Sequence, residues 1–556
     1  MAAALRAIGA PLLLLPALVL PLLLAVLAAV PLLWAAASAL AAAFDAAAWR
    51  ELLADPQWPR ALLHSLLTGL AATALSVLAT AWILSRSFAT PAWRSVLRML
   101  APMLAMPHAA FAIGVAFLIA PSGWILRALS PWATGFEQPP GWLTTQDPWG
   151  LGLVAALVGK EVPFLLWTAA SQLQRADAGP RWARELEQAC TMGYTRAAAW
   201  WRVVWPQLWP RLAAPVLAVA AYSLTVVDVA LVIGPVSPPP GAVLAWQWLL
   251  DADPAVNAKG AAAAWLLALA AAVLCVGLWL LQRRSPGRAR WSDGRRGRHE
   301  ARGATGLAGP AGLAFVYAGV MAALSVGSVS GVWPFPDVWP RELSLAGWRS
   351  VLGSFETVST TVALAAAGSL TALAWAVLWL EAAPAHWDAR MRRIAYLPLL
   401  LPSILWVVGL HRVALAWGLD GQWTGLWLAH TLAALPYVLI ALSPSYLGFE
   451  PRYGQLAATL GHGRLAFLLR IKWPLLRAGL ATALAVGFSV SVAQYLPTLF
   501  IGAGRFSTVT TEAVALSSGG QRSLLAAYAW LQWLLPALVF ALAAWAGRPR
   551  RFRERT

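Results

Sequence analysis

Six ionisable side chains fall inside stretches otherwise apolar enough to cross a bilayer, and these groups could act on a solute or an ion there. Lys160 and Glu161 sit near the middle of the fourth such stretch, and Asp228 is about two-thirds along the fifth. His108 and His430 lie within the third and the tenth, and His411 nearer the end of the ninth. An ionisable group at that depth costs about 2.5–3.5 kcal/mol on insertion scales, so each needs a partner or a use. Lys160 with Glu161 or Asp228 makes either a structural ion pair, in which each charge lowers the burial cost of the other, or a polar lining for a solute path. Gln494 and Tyr495 fall in the corresponding part of the eleventh stretch, where they could face the same path. The histidines lack metal-ligand spacing and read as hydrogen-bonded packing residues, so no metal site is expected. No Gly-x-x-x-x-Gly-Lys-Ser/Thr loop exists to cradle nucleotide phosphates, and no bound cofactor is expected of this chain.

The elements that must hold these residues follow from composition. Of 556 residues 60% are hydrophobic and 12% charged, which excludes an ordinary soluble globule of this length. A bilayer-spanning helix needs roughly 20 mainly apolar residues. Stretches of that kind lie near 10–40, 61–84, 98–120, 150–173, 210–234, 260–281, 308–331, 357–380, 394–417, 423–446, 477–501 and 523–546. The expected fold is therefore an all-α membrane protein of about twelve transmembrane helices. The first stretch is too long for a typical signal-peptide core and reads as an uncleaved helix. Prolines 102, 107, 163, 398, 402 and 436 interrupt spans, free backbone carbonyls and bend helices.

A net charge of +18 could suggest nucleic acid, but the basic residues sit between apolar spans. Positive-inside topology explains them, and no nucleic-acid partner is expected. With the N-terminus inside, the cytoplasmic connections carry Arg86, Arg94 and Arg98, then Arg175 to Arg202, Arg283 to Arg302, Arg390 to Arg393, Arg452 to Lys472 and Arg548 to Arg555. The outward connections are poorer in arginine. Both termini are then cytoplasmic. Cys190 falls in a cytoplasmic loop and Cys275 in a span, so no disulfide framework follows.

One stretch occurs twice. The first copy runs Glu187-Gln188-Ala189-Cys190-Thr191-Met192-Gly193 and reaches Pro206; the second runs Gln455-Leu456-Ala457-Ala458-Thr459-Leu460-Gly461 and reaches Pro474. Gly193 to Pro206 and Gly461 to Pro474 are both thirteen positions. Each copy reads as a short polar helix, a glycine of positive φ that turns the chain, a basic segment bearing tryptophan, and a proline opening an apolar run. Pro107 to Gly114 recurs as Pro402 to Gly409, seven positions in each. The offset is 295 at these glycines (409 − 114) and 268 at the turn glycines (461 − 193), so the first copy carries 27 more residues between them, most of them in the outward loop 121–148. The chain accordingly divides into a first repeat, 1–282, a basic cytoplasmic linker, 283–306, and a second repeat, 307–556. Six spans in each, in one orientation, imply a parallel repeat about the membrane normal.

The doubled stretch resembles the "EAA" loop of permease subunits from binding-protein-dependent ABC importers, and the resemblance covers nearly the whole chain. The fused double form is similar to permeases of thiamine-type and ferric-iron-type importers, and residues 223–250 look most like a fused group linked to thiamine transport. The resemblance implies a multi-pass protein of a bacterial cytoplasmic (inner) membrane. It also implies coupling through Glu187, Ala189, Gly193, Pro206, Gln455, Ala457, Gly461 and Pro474 to two cytoplasmic ABC ATPase subunits, which would hold the ATP and magnesium. Solute would arrive on an external binding protein. The sequence departs from the loop pattern at Gln188, where alanine is usual, and at Gln455, where glutamate is usual. Leu516 to Arg522 resembles the ABC ATPase signature with an extra serine, but without a Walker partner it reads as a turn. Lys160, Glu161, Asp228, Gln494 and Tyr495 become the candidate path, with a thiamine-like organic cation as the expected solute and ferric iron as the alternative. A secondary transporter driven by an ion gradient is the rival reading.

Overall fold

The computed structural model describes residues 2–175, 178–284 and 306–548. Apart from Arg283 and Arg284, which end a helix, and Gly306, the basic linker lies outside the described residues. The described residues form helices and their connections, as an environment without water to satisfy open backbone groups demands. Among them nine helices are long and apolar enough to cross a membrane, and two bent helix pairs raise the number to eleven. The protein is thus an all-α, multi-span membrane protein.

The principal helices are α1 (Ala2–Ala41), α2 (Trp58–Ser87), α3 (Pro91–Leu104), α4 (His108–Ile119), α5 (Leu151–Leu173), α6 (Gly179–Thr191), α7 (Ala213–Thr225), α8 (Asp228–Ile233), α9 (Gly241–Leu249) and α10 (Pro254–Arg284). They continue as α11 (Ala308–Ser328), α12 (Phe355–Ala382), α13 (Ala385–Ala395), α14 (Ser403–Ala416), α15 (Trp423–Leu447), α16 (Arg452–Thr459), α17 (Arg477–Val492), α18 (Leu496–Gly502), α19 (Val509–Leu516) and α20 (Arg522–Gly547).

Four of the stretches expected to be continuous spans are broken, the one at 394–417 at Leu401 and Pro402 just before α14. The one at 98–120 divides at Pro107, whose extended backbone (φ −63°, ψ 154°) separates α3 from α4. A proline there lacks the N–H that would continue the ladder and disfavours helix in the residue before it. The stretch at 210–234 divides into α7 and α8 at Val226 and Val227, and the stretch at 477–501 into α17 and α18 at Ala493 to Tyr495. α8 and α18 begin 268 positions apart, as do α9 and α19, and α10 and α20.

The interior prolines have identifiable effects. Pro163 cannot donate to the carbonyl four residues earlier, Gly159, and the Tyr317 hydroxyl of α11 donates to that carbonyl at 3.1 Å. A carbonyl freed within a continuous helix is thus satisfied by a side chain from another span.

Packing crosses the division between 1–282 and 307–556. The buried stripe Leu24, Ala28, Leu32, Ala35 and Ala39 of α1 has helical spacing and lies on α14 and α12. The Trp375 indole donates to Leu24 O at 2.9 Å, the Arg412 guanidinium to Ser38 O at 2.9 Å, and a Cβ on Gly409 would stand 2.0 Å from Ala35 O. In the other direction α11 lies on α4, where a Cβ on Gly114 would stand 2.5 Å from Val320. Both glycines of the recurring Pro-to-Gly element are therefore seats for a helix that lies across the linker in sequence. Small residues at such crossings let helices approach closely where lipid supplies no hydrophobic drive.

Candidate functional site

Each doubled stretch folds as a short helix closed by a left-handed glycine. Gly193 has φ 92° and Gly461 φ 78°. The following amides, Tyr194 N and His462 N, donate back to Ala189 O and Ala457 O at 3.3 and 2.9 Å, while Gly193 N and Gly461 N donate to Cys190 O and Ala458 O at 3.0 Å. That pair of bonds is the Schellman closure, which needs a positive φ at the glycine. Ala189 and Ala457 are buried beneath the turn, whereas Glu187 and Gln455 point outward and exposed. Pro206 and Pro474 each stand in the first turn of a short helix that follows one π-helical turn, Trp200–Val204 and Leu468–Lys472. The wider turn places Trp205 N on Trp200 O and Trp473 N on Leu468 O, making room for the proline ring that follows.

Two arginines absent from the sequence reading join these elements to the spans. Arg196 donates to Phe88 O and Ala89 O at 2.8 and 2.7 Å, at the end of α2, and Arg464 donates to Glu381 O at 2.8 Å, at the end of α12. Each follows its turn glycine by three residues, and that identity of type and position in both copies was the available signal.

The surroundings then differ. On α6 the Trp182 indole donates to Gln207 Oε1 at 3.0 Å, the Gln207 amide donates to Glu185 Oε2 at 2.8 Å, and Arg181 pairs with Glu185 at 2.7 Å. Partial burial works to raise the Glu185 carboxyl, but the Gln207 and Arg181 hydrogen bonds outweigh it and hold the group below the usual carboxylate value. Near α16 the centre is Glu381, which accepts from Lys472 at 2.6 Å and from the Tyr446 hydroxyl at 2.9 Å.

Lys160 and Glu161 lie against the break at Pro107, and Asp228, Gln494 and Tyr495 stand at the breaks of their own stretches. Glu161 pairs with His108 Nε2 at 3.2 Å, and the His108 ring lies 4.7 Å from that of Tyr222. The expected ion pairing of Lys160 with Glu161 or Asp228 is replaced. The Lys160 ammonium instead donates to Met103 O and Met106 O at 3.0 and 2.6 Å. Adjacent helical residues point about 100° apart, so Lys160 and Glu161 face different neighbours. The break before Pro107 leaves carbonyls at the end of α3 without helical partners, and a buried cation is well matched to them. Asp228 opens α8, and Tyr495 stands immediately before α18. Gln494 turns its amide to Val490 O at 3.1 Å. His430 is buried between the Ser491 and Thr498 hydroxyls at 2.7 and 3.0 Å, and His411 meets Asp420 at 3.1 Å. His108 and Tyr222 thus join Glu161, and no spacing in the sequence marked the tyrosine.

The protein is thus all-α and multi-span, with two helix–glycine–proline elements hydrogen-bonded to its spans. The comparison with known proteins makes the class specific. The chain is 35% identical over 526 residues to the inner membrane ABC transporter permease protein YnjC of Escherichia coli (strain K12), covering 92% of this chain and 93% of that protein. It belongs to the inner-membrane ABC transporter permeases: a multi-pass transport subunit of the inner membrane. A second relative, the thiamine transport system permease protein ThiP of Brucella suis biovar 1 (strain 1330), is 26% identical over 174 residues, 28% of this chain and 32% of that protein. No protein-family model matches the chain.

Proposed function

We propose that the chain is the complete membrane wall of an ATP-driven importer, with both coupling elements on one polypeptide and a small organic cation as cargo. The observation that carries this reading is the pair of turn elements, Glu187–Pro206 and Gln455–Pro474, each hydrogen-bonded through Arg196 or Arg464 to the end of a long span. Two ATPase subunits on the cytoplasmic face would seat on the exposed helix faces at Glu187 and Gln455. ATP binding draws those subunits together, the short helices move as levers, and two six-helix repeats rock about the path between them. An external solute-binding protein delivers the cargo.

Support for a cation comes from the carboxylates inside the spans, Asp228 and Glu161, the latter held by His108 whose ring lies 4.7 Å from that of Tyr222; aromatic faces attract positive charge. Support for a thiamine-like cation comes from the thiamine permease relative. The test is uptake of labelled thiamine and of ferric iron in a strain whose other routes are deleted, with and without the partner ATPase. ATPase-dependent thiamine uptake is the expected result. Iron uptake without thiamine uptake overturns the cargo, and uptake that survives loss of the ATPase overturns the mechanism.

A further inference from the structure

Two of the broken stretches, 210–234 and 477–501, match at an offset of 268 and are held differently. In the later one α17 ends at Val492 and α18 begins at Leu496, with Ser491 and Thr498 on either side of the break. One buried imidazole bridges it: His430 of α15 has Nδ1 2.7 Å from Ser491 Oγ and Nε2 3.0 Å from Thr498 Oγ1. The Thr498 hydroxyl donates to Gln494 O at 2.9 Å, so toward His430 it accepts, and Nε2 carries the N–H. Among the described residues no carboxylate pairs with His430, and an imidazolium buried without one would be costly, so the ring is neutral and Nδ1 accepts from Ser491. The bonds run one way, from Ser491 through His430 and Thr498 to a carbonyl inside the break. A second carbonyl there, Val492 O, accepts from the Thr510 hydroxyl of α19.

The earlier break, at Val226 and Val227 between α7 and α8, has none of these ties. Ser223 matches Ser491, but Ala230 and Ala242 stand where the later stretch has Thr498 and Thr510. Leu157 stands where it has His430, at the offset of 273 (436 − 163) that matches Pro163 with Pro436. The Ser223 hydroxyl is buried without a hydrogen-bond partner among the described residues. Irregular backbone at membrane depth persists where its polar groups are satisfied. A break bridged on both sides by one ring keeps its angle, whereas a break without cross-ties can change angle while few bonds are lost.

We infer that His430 is a positioning residue that pins the break between α17 and α18, so that Gln494 and Tyr495 keep their place through the transport cycle while the unpinned break before Asp228 takes up the motion. The motion rests on the ATP-driven reading given above; the pin does not, and neither depends on the cargo.

The experiment measures hydrogen exchange in the assembled permease–ATPase complex in lipid nanodiscs, nucleotide-free and trapped with ATP and vanadate. In wild type, exchange over 226–233 should differ between the two states and exchange over 494–502 should stay the same. Thr498→Val keeps the shape of the side chain and removes its hydroxyl. It should accelerate exchange over 494–502 roughly five- to a hundredfold, the factor for a buried donor left unsatisfied, and make it differ between states. Thr498→Ser restores the hydroxyl and should return both readings toward wild type. A side chain that only fills space predicts the opposite order, since serine loses a methyl that valine keeps. Valine behaving as wild type, or serine worse than valine, overturns the pin, and so does a wild-type change over 494–502 as large as that over 226–233. If Thr498→Val does not assemble, Ser491→Ala removes the other hydroxyl in its place. Change elsewhere in the chain but none over 226–233 overturns the motion. No change anywhere on ATP trapping overturns the ATP-driven reading, while the Thr498 pair still decides the pin.

Discussion

The two helix–glycine–proline elements share their backbone and differ in almost everything that holds it. Both end in a Schellman turn, pass through a π-helical turn and reach a proline at the same spacing. Yet α6 buries Trp182, Leu186 and Ala189, a helical stripe, whereas α16 buries Ala457 alone. At the offset of 268, Glu450 stands where α6 has Trp182, Gly454 where it has Leu186, and Leu475 where the first copy has Gln207. The first element is a helix stapled to the segment that follows it. The second is a shorter helix resting on the aromatic contacts of Phe449 with Tyr453 and Phe467, and tied through Arg464 and Lys472 to Glu381. Backbone geometry can thus be kept while its support moves from the element itself to a neighbouring span, because a left-handed turn needs only a glycine and its hydrogen bonds, whatever packs beneath it.

If the staple is what orders α6, removing its indole should produce the widest divergence between the two elements. Trp182→Ala takes away a buried aromatic and one partner of Gln207, a change that costs about 3–5 kcal/mol at core sites. Hydrogen exchange over 179–191 should accelerate by orders of magnitude, while Glu450→Ala at the corresponding place should shift exchange over 452–459 by less than about 0.5 kcal/mol. Equal responses would show that α6 is ordered by something other than its staple.

The shared feature should respond alike in both. Gly193→Val and Gly461→Val force a β-branched residue into φ 92° and φ 78°, at about 1–3 kcal/mol of backbone strain each. A Cβ on Gly461 would meet nothing within 4 Å, so at that position strain is the whole effect. Substrate-stimulated ATP hydrolysis should fall toward the unstimulated level in both variants. Gly461→Asn, which tolerates this conformation, should keep most of the stimulation. Full stimulation in both valine variants would remove the coupling assignment.

A smaller difference should appear at the exposed faces. Glu187 offers a charged acceptor and Gln455 a neutral amide at equivalent positions. Hydrogen bonds to charged groups are worth about 1.5–3 kcal/mol against about 0.5–1.5 for neutral ones, so Glu187→Ala should reduce transport more than Gln455→Ala at matched expression. Equal losses would mean that the two helices meet their partners through other side chains.

What could be read from residues alone was whatever depends on local chemistry. Runs of about 20 apolar residues announce spans, because a bilayer charges every polar residue for entry. Positive-φ glycines followed at fixed spacing by prolines announce turns, since few other residues adopt that backbone. Both held, down to the turn at Gly461, but the sequence ran ahead of the fold where apolar content alone was counted. The stretches 98–120, 210–234, 394–417 and 477–501 are mainly apolar and nevertheless break, and Asp228 and Tyr495 stand at two of the breaks. Partner choice was likewise invisible. Lys160 prefers the carbonyls at the end of α3 to the carboxylate beside it in sequence, and Tyr317 reaches Gly159 from 158 residues away. The seating of α1 on Gly409 and α11 on Gly114 also belongs to the tertiary structure. Hydropathy sets how many helices a chain can put into a membrane, but lipid is as apolar as leucine, so the choice of neighbour rests on close packing and on which backbone groups remain to be satisfied once the helices have met.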